Sequence, residues 1–127
     1  MRYFDFTGAY VAAYAAAKTE PEKWTVQTRV GAEQFPAALK RAGIIQLHES
    51  SERLIGSAPH VLVVGVATWS HPDLAILDDI VAITRTRDVL LLVFDIDDCR
   101  DMEDIHRFIP DADFVSHTPV IAQYREG

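Results

Sequence analysis

Five consecutive residues near the middle of the chain, Trp69-Ser70-His71-Pro72-Asp73, combine a hydroxyl, an imidazole and a carboxylate. These are the groups of a hydrolase triad, but residues so close in sequence do not readily adopt that geometry, and no Gly-x-Ser-x-Gly turn is present. Ser-x-x-Asp before an apolar helix is instead typical of a capping box, which satisfies the first N–H groups of the helix. We favour capping over catalysis. The functional alternative is a polar pocket for an anionic group at the helix N-terminus.

His71, Asp73 and His117 are a second group with possible chemistry, since two imidazoles and a carboxylate suit zinc or iron. No ligand-spacing motif supports a metal site, so we favour two exposed histidines on neighbouring loops. The single cysteine, Cys99, follows a strand pattern in an acidic loop, where neighbouring carboxylates disfavour the reactive thiolate. We therefore predict no metal and no cofactor, and we favour a bystander over a nucleophile for Cys99, whose involvement would be needed only for an oxidoreductase without a cysteine at position 70.

The composition narrows the class of protein. The 127 residues, 49% hydrophobic and 24% charged, indicate one globular domain with a sizeable core. The net charge of −7, with acidic residues concentrated between Asp95 and Asp113, argues against nucleic acid as a partner. The apolar run at 9–17 is too short to span a bilayer, and a lone cysteine gives no sign of an oxidising compartment. These features predict a cytoplasmic protein that does not bind membranes.

The elements that position the central motif follow an α/β pattern. Val61–Val66 is an apolar, β-branched run typical of a central strand, and the apolar helix after Pro72 has Asp78 and Asp79 on its solvent side. Val89–Ile96 predicts a second buried strand, and a short helix at 102–108 and a strand at 119–124 follow. Ligands of open α/β sheets bind outside the carboxyl ends of strands, where the five-residue motif falls.

The N-terminal part of the chain predicts two helices and a short strand. One helix runs from about Gly8 to Lys18 with Thr7 as its cap, and the other covers Ala32–Ala42, with Pro36 in its first turn and Gly43 at its end. Trp24–Val30 alternates like a strand or an extended connector. Ile44–Leu47 then predicts a short strand, and Ser50 and Ser51 cap a short helix that ends at Gly56.

From about Ile44 to Gly127 the chain resembles the thioredoxin family. Trp69-Ser-His-Pro-Asp73 lies where that family has Trp-Cys-Gly-Pro-Cys, Phe94-Asp-Ile-Asp97 resembles the acidic end of its next strand, and Val115-Ser-His-Thr-Pro119 resembles its cis-proline loop. The resemblance implies a three-layer thioredoxin-like fold with a central mixed sheet at 44–127, preceded by a helical extension at 1–43. It also implies a cis Thr118–Pro119 bond beside the motif. The sequence ends where the family's last strand and helix would begin, so we expect a domain that lacks both.

The departures from the family pattern decide the functional hypothesis. Ser70 and Asp73 occupy the two cysteine positions, and disulfide exchange requires a thiolate and a second thiol. The resemblance thus implies a redox-inactive, non-enzymatic module, protein-binding or chaperone-like, that holds an extended peptide in the cis-proline groove. The binding residues implied are Trp69, Ser70, His71, Pro72, Asp73, His117, Thr118 and Pro119.

Two alternatives accompany this hypothesis. A cysteine at position 70 in the natural chain would make the protein an atypical or monothiol thiol–disulfide oxidoreductase, with the thiolate at a helix N-terminus beside His71. A free edge on the last strand also favours a homodimer or a partner strand there.

Overall fold

The computed structural model of the protein describes residues 5–16, 23–99, 102–109 and 118–125. It is a mixed α/β structure built on one four-stranded sheet. Its elements in chain order are α1 (Phe6–Ala16), α2 (Lys23–Ala42), β1 (Ile45–Gln46), a 3₁₀ helix (Glu49–Gly56), β2 (His60–Val66), α3 (His71–Thr84), β3 (Leu90–Asp95), a single 3₁₀ turn (Ile96–Asp98, the 96–98 turn), α4 (Met102–Phe108) and β4 (Val120–Arg125). None of the helices in the described residues is long and apolar enough to cross a bilayer.

The sheet has the strand order β1-β3-β2-β4. β3 pairs in parallel with both β1 and β2, whereas β4 runs antiparallel to β2. Val66 at the end of β2 lies opposite Asp95 at the end of β3, and Gly65 lies opposite Val120 at the start of β4. The carboxyl ends of β2 and β3 and the amino end of β4 therefore meet at one end of the sheet.

The sheet separates two hydrophobic cores. On one face the first three helices bury their apolar sides against β2 and β3; this core includes Phe6, Tyr10, Phe35, Leu39, Leu74, Leu77, Val64, Val66 and Val93. On the other face α4 and the first 3₁₀ helix cover a core that includes Leu47, Val61, Val63, Leu92, Phe94 and Phe108. The helices α1 and α2 thus share one core with the sheet, because their buried side chains belong to the same hydrophobic cluster as Val64, Val66 and Val93.

Most of the predicted elements are present near their expected positions. The strands at 61–66 and 89–96 and the helices after Pro72 and at 102–108 are confirmed, with boundaries shifted by a residue or two. Gly43 ends α2 with φ +73°, a backbone conformation that glycine adopts without steric cost. The strand after Pro119 is also confirmed, as β4.

The prediction of a strand or extended connector at Trp24–Val30 is wrong, since this segment belongs to the long helix α2. Val30, Phe35, Ala38 and Leu39 are all buried on one side of that helix. Burial at helical spacing outweighs the short alternation, because strand propensity depends on tertiary context. Pro36 accordingly lies inside the helix and not in its first turn.

The start of α1 also differs from the prediction. Asp5, and not Thr7, caps the helix, with the Asp5 carboxylate accepting the Gly8 N–H at 2.9 Å. Asp78 of α3 accepts the Phe6 N–H at 2.6 Å and the Thr7 hydroxyl at 3.0 Å. The prediction that Asp78 marks the solvent side of α3 is therefore wrong, because this carboxylate holds the first turn of α1 against α3. Partial burial there raises the pKa of Asp78, although the hydrogen bonds from Phe6 and Thr7 oppose the shift.

Candidate functional site

The central motif forms the turn between β2 and α3. Ser70 is the N-cap of α3, with an extended backbone, and its Oγ accepts the Asp73 N–H at 3.4 Å. Pro72 lies in the first turn, where its fixed φ suits a helix and its missing N–H costs nothing. The capping role predicted for Ser70 is confirmed.

The side chain of Asp73 is buried within this turn. It is 2% exposed, and its Oδ2 accepts the Ala67 N–H at 2.9 Å. In a capping box the acid would accept the N–H of the N-cap residue, whereas here it reaches past Ser70 to the end of β2. The carboxylate therefore ties the start of α3 to the strand and does not lie at the surface with His71 and Pro72, which are exposed.

The N-terminal helices form one wall of the motif. The ring of Tyr10 in α1 meets the exposed His71 ring edge-on, with centroids 5.2 Å apart and planes at 79°. A Cβ on Gly31 of α2 would lie 2.8 Å from the Thr68 carbonyl carbon and from the Trp69 nitrogen. Sequence reasoning missed this close approach, although a glycine within a helical pattern is a signal for one.

Trp69 connects the motif to the end of β3. Its indole N–H donates to Asp97 Oδ2 at 2.9 Å, and its half-buried ring packs beside the core under the first three helices. Asp97 lies in the 96–98 turn, whose N-cap is Asp95: Asp95 Oδ1 accepts the Asp97 N–H at 2.9 Å. The only sequence signal for this contact was the resemblance of residues 94–97 to the acidic strand end of the thioredoxin family.

Asp95 is the most strongly perturbed acid in the described residues. It is 4% exposed. Its pKa is raised to about 7. Burial is the main cause; the hydrogen bond from the Asp97 N–H lowers the pKa, and the negative charges of Asp98 and Asp97 raise it. This carboxyl group therefore changes its charge near neutral pH.

The Thr118–Pro119 peptide bond is cis, and both residues are half-buried. Because Val120 pairs with Gly65 in antiparallel register, the same register continued sets Pro119 level with Val66 and Thr118 level with Ala67, at the carboxyl end of β2. Thr118 and Pro119 thus share one end of the sheet with the turn that carries Trp69, Ser70 and His71. His117, the remaining predicted binding residue, lies outside the described residues.

A separate cavity of about 410 Å³ opens beside the carboxyl ends of β1 and β3. Polar and apolar side chains line it, namely Leu47, His48, Phe94, Asp95, Asp98, Cys99, Asp104, Arg107 and Phe108. Within it, Arg107 forms an ion pair with Asp104 at 3.3 Å. No sequence pattern predicts this cavity, because its lining comes from three separate segments, 47–48, 94–99 and 104–108.

Two residues of the weak metal-site candidate His71, Asp73 and His117 are among the described residues, namely His71 and Asp73. The carboxylate of Asp73 is buried against Ala67, and His117 lies outside the described residues. Among the residues that the structure describes, no group of three or more His, Cys, Asp or Glu side chains is arranged to hold a metal ion.

Comparison of the chain with protein-family models, with curated proteins and with solved structures found no match.

Proposed function

We propose that the protein is a thioredoxin-like module without thiol–disulfide activity that binds an extended segment of a partner protein. The binding surface is the cis-proline groove, made by Trp69, Ser70, His71, Thr118 and Pro119. The observation that carries the proposal is the β2–β4 register, in which Val120 pairs with Gly65, so that Thr118 and Pro119 lie at the end of the sheet that carries the motif turn. The element order and the mixed sheet support the thioredoxin-like assignment.

The chemistry of the turn supports binding over redox catalysis. Ser70 carries a hydroxyl that caps α3, and Asp73 carries a buried carboxylate that holds the end of β2. Neither group can exchange disulfides. Cys99 lies after the 96–98 turn and is half-buried among acidic residues, which is unfavourable for a reactive thiolate.

The groove offers the features that a peptide site needs. Trp69 is a large, half-buried aromatic side chain held in place by its bond to Asp97. Tryptophan is enriched among residues that dominate binding energy, because it buries much apolar area at little entropic cost. Thr118 precedes the paired part of β4, where an extended peptide would add main-chain hydrogen bonds in the manner of strand addition.

The test begins with selection of binders from a random peptide library displayed on phage. The affinity of a selected peptide is measured by calorimetry, and its site is mapped from amide NMR shifts. Shifts at 69–71 and 118–120 are expected, and Trp69→Ala should weaken binding by about 30-fold, since truncating such a residue costs about 2 kcal/mol or more.

Ile83→Ala is the matched control, because Ile83 is 55% exposed at the opposite end of α3. Its affinity should equal that of the unaltered chain. Binding that Trp69→Ala leaves unchanged, or shifts confined to other surfaces, would contradict the proposed groove.

A monothiol oxidoreductase is the second proposal, and the position of Ser70 favours it. Its Oγ occupies the helix N-cap, where a cysteine sulfur would be stabilised as a thiolate. The sequence of the natural gene at codon 70, with the reduction of a mixed glutathione disulfide by the natural protein, decides between the two. Serine at that codon and no turnover above background would remove the oxidoreductase.

We also propose a cytoplasmic location and a homodimer. The acidic composition and the single cysteine favour a cytoplasmic protein that does not bind nucleic acid. Within the described residues β4 is an outer strand of the sheet, with Ile121 51% exposed, which favours pairing with a second copy. Sedimentation equilibrium of the chain and of Ile121→Lys tests this homodimer; an unaltered chain that stays monomeric contradicts it.

A further inference from the structure

A chain of hydrogen bonds joins a buried carboxyl group to the proposed groove. Asp95 Oδ1 accepts the Asp97 N–H, and Asp97 Oδ2 accepts the Trp69 indole N–H, both at 2.9 Å. Asp95 is fixed in the sheet opposite Val66, whereas Asp97 and Trp69 lie in the turns that follow the strands. The position of Asp97, and with it that of the indole, therefore depends on the bond that Asp95 accepts.

The surroundings of Asp95 make its charge costly. Asp97 and Asp98 on its own turn add negative charge, and no ion pair of Asp95 exists among the described residues. From the elements packed around it, the titratable groups that face it across the adjoining cavity are His48, Cys99, Asp104 and Arg107, of which Arg107 is paired with Asp104. The carboxylate of Asp73, in the first turn of α3, accepts the Ala67 N–H at the end of the neighbouring strand β2.

We propose that Asp95 acts as a protonation switch that sets the position of Trp69 in the groove. In its ionised form the carboxylate makes a charge-assisted bond to the Asp97 N–H, a type about twice as strong as a neutral one. In its protonated form it holds the 96–98 turn less firmly, and the Asp97–Trp69 bond loosens with it. Because burial already raises the pKa of Asp95 to about 7, the change falls near neutral pH. The consequence for binding rests on the proposed function, whereas the switch itself is observable without any partner.

The experiment follows two NMR signals of the whole chain from about pH 5 to pH 9, a range that spans the expected transition. One is the carboxyl carbon of Asp95, and the other is the indole N–H of Trp69, assigned with Trp24→Phe. We expect both signals to move with the same midpoint, between about pH 6 and pH 8. The indole of Asp95→Asn should not move over this range.

His48→Gln and His71→Gln are the controls, because each removes an exposed imidazole, one beside the cavity that adjoins Asp95 and one in the motif turn. Both should keep the indole transition. A static Trp69 signal in the unaltered chain, a transition that persists in Asp95→Asn, or one that disappears in His71→Gln would overturn the switch. Because the two signals are compared within the unaltered chain, this part of the test holds even if Asp95→Asn does not fold.

Affinity for a selected peptide, measured at about pH 6 and pH 8 on either side of the transition, separates the two proposals. Tighter binding at the higher pH supports a switch that acts on the groove. If peptides bind nowhere on this surface while the indole still follows Asp95, the proposed function fails and the switch stands.

Discussion

The indole N–H of Trp69 donates a hydrogen bond to the carboxylate of Asp97 across 2.9 Å, joining the turn after β2 to the turn after β3. The two residues are 28 positions apart in sequence, and the parallel pairing of β2 with β3 brings them together. This contact orients the largest side chain of the proposed groove.

Asp97→Ala should release the indole of Trp69. The lost hydrogen bond is expected to lower the free energy of unfolding by about 1 kcal/mol and to shift Trp69 fluorescence towards the red, because the ring becomes more solvated. Fluorescence is measured in a Trp24→Phe background. Asp98→Ala, which removes an equivalent charge from the same turn, should leave the emission unchanged; an equal red shift there would contradict a specific contact.

Asp73→Ala should destabilise the fold more than a surface change does. It leaves the Ala67 N–H without its acceptor in a buried position, which costs about 1–3 kcal/mol in the free energy of unfolding. Asp73→Asn keeps an acceptor oxygen and should cost less than the alanine variant. Urea denaturation measures both, and Asp79→Ala on the exposed side of α3 is the reference. Equal stability of the two alanine variants would contradict the structural role of Asp73.

Gly31→Ala should push α2 away from the motif turn. The added methyl group would lie 2.8 Å from backbone atoms of Thr68 and Trp69, which cannot rotate aside. Overpacking of this kind costs about 1–3 kcal/mol, although alanine favours the helix itself. Gly56→Ala is the control, since no atom lies within 4 Å of its added Cβ. Thermal unfolding compares the two, and a stabilised Gly31→Ala would show that α2 does not press on the turn.

Asp95→Asn should change how stability depends on pH. The folded state raises the pKa of Asp95 from 3.8 to about 7, so its protonated form is favoured by folding. The contribution of Asp95 to the free energy of unfolding is complete below its unfolded-state pKa and is lost as the pH rises through about 7. Relative to the variant, the free energy of unfolding of the unaltered chain should therefore fall by on the order of 2 kcal/mol between about pH 5 and pH 8. Urea denaturation at the two pH values tests this, and parallel pH profiles would contradict it.

The local pattern of the sequence predicts the central elements of this protein. Val61–Val66 and Val89–Ile96 are continuous apolar runs, and only burial on both faces of a sheet accommodates such strands. Ser70 and Pro72 specify the start of α3 through short-range hydrogen bonding and a fixed φ, which need no distant partner. The location of the candidate site at the end of β2 follows from the same local signals.

Tertiary structure alone decided the rest. Trp24–Val30 alternates like a strand and is helical, because α2 gains more by burying its apolar side against the sheet. Nothing in the sequence distinguishes the roles of Asp78, Asp95 and Asp97. Long-range packing makes Asp78 an acceptor for the first turn of α1, Asp95 a buried acid and Asp97 the partner of Trp69. The sequence by itself determined the two central strands, β2 and β3, and the start of α3, since those choices depend on neighbours along the chain. Which polar side chains are buried, and what they contact, was decided by strand pairing and helix packing, because desolvation and hydrogen bonding depend on atoms that only the fold brings together.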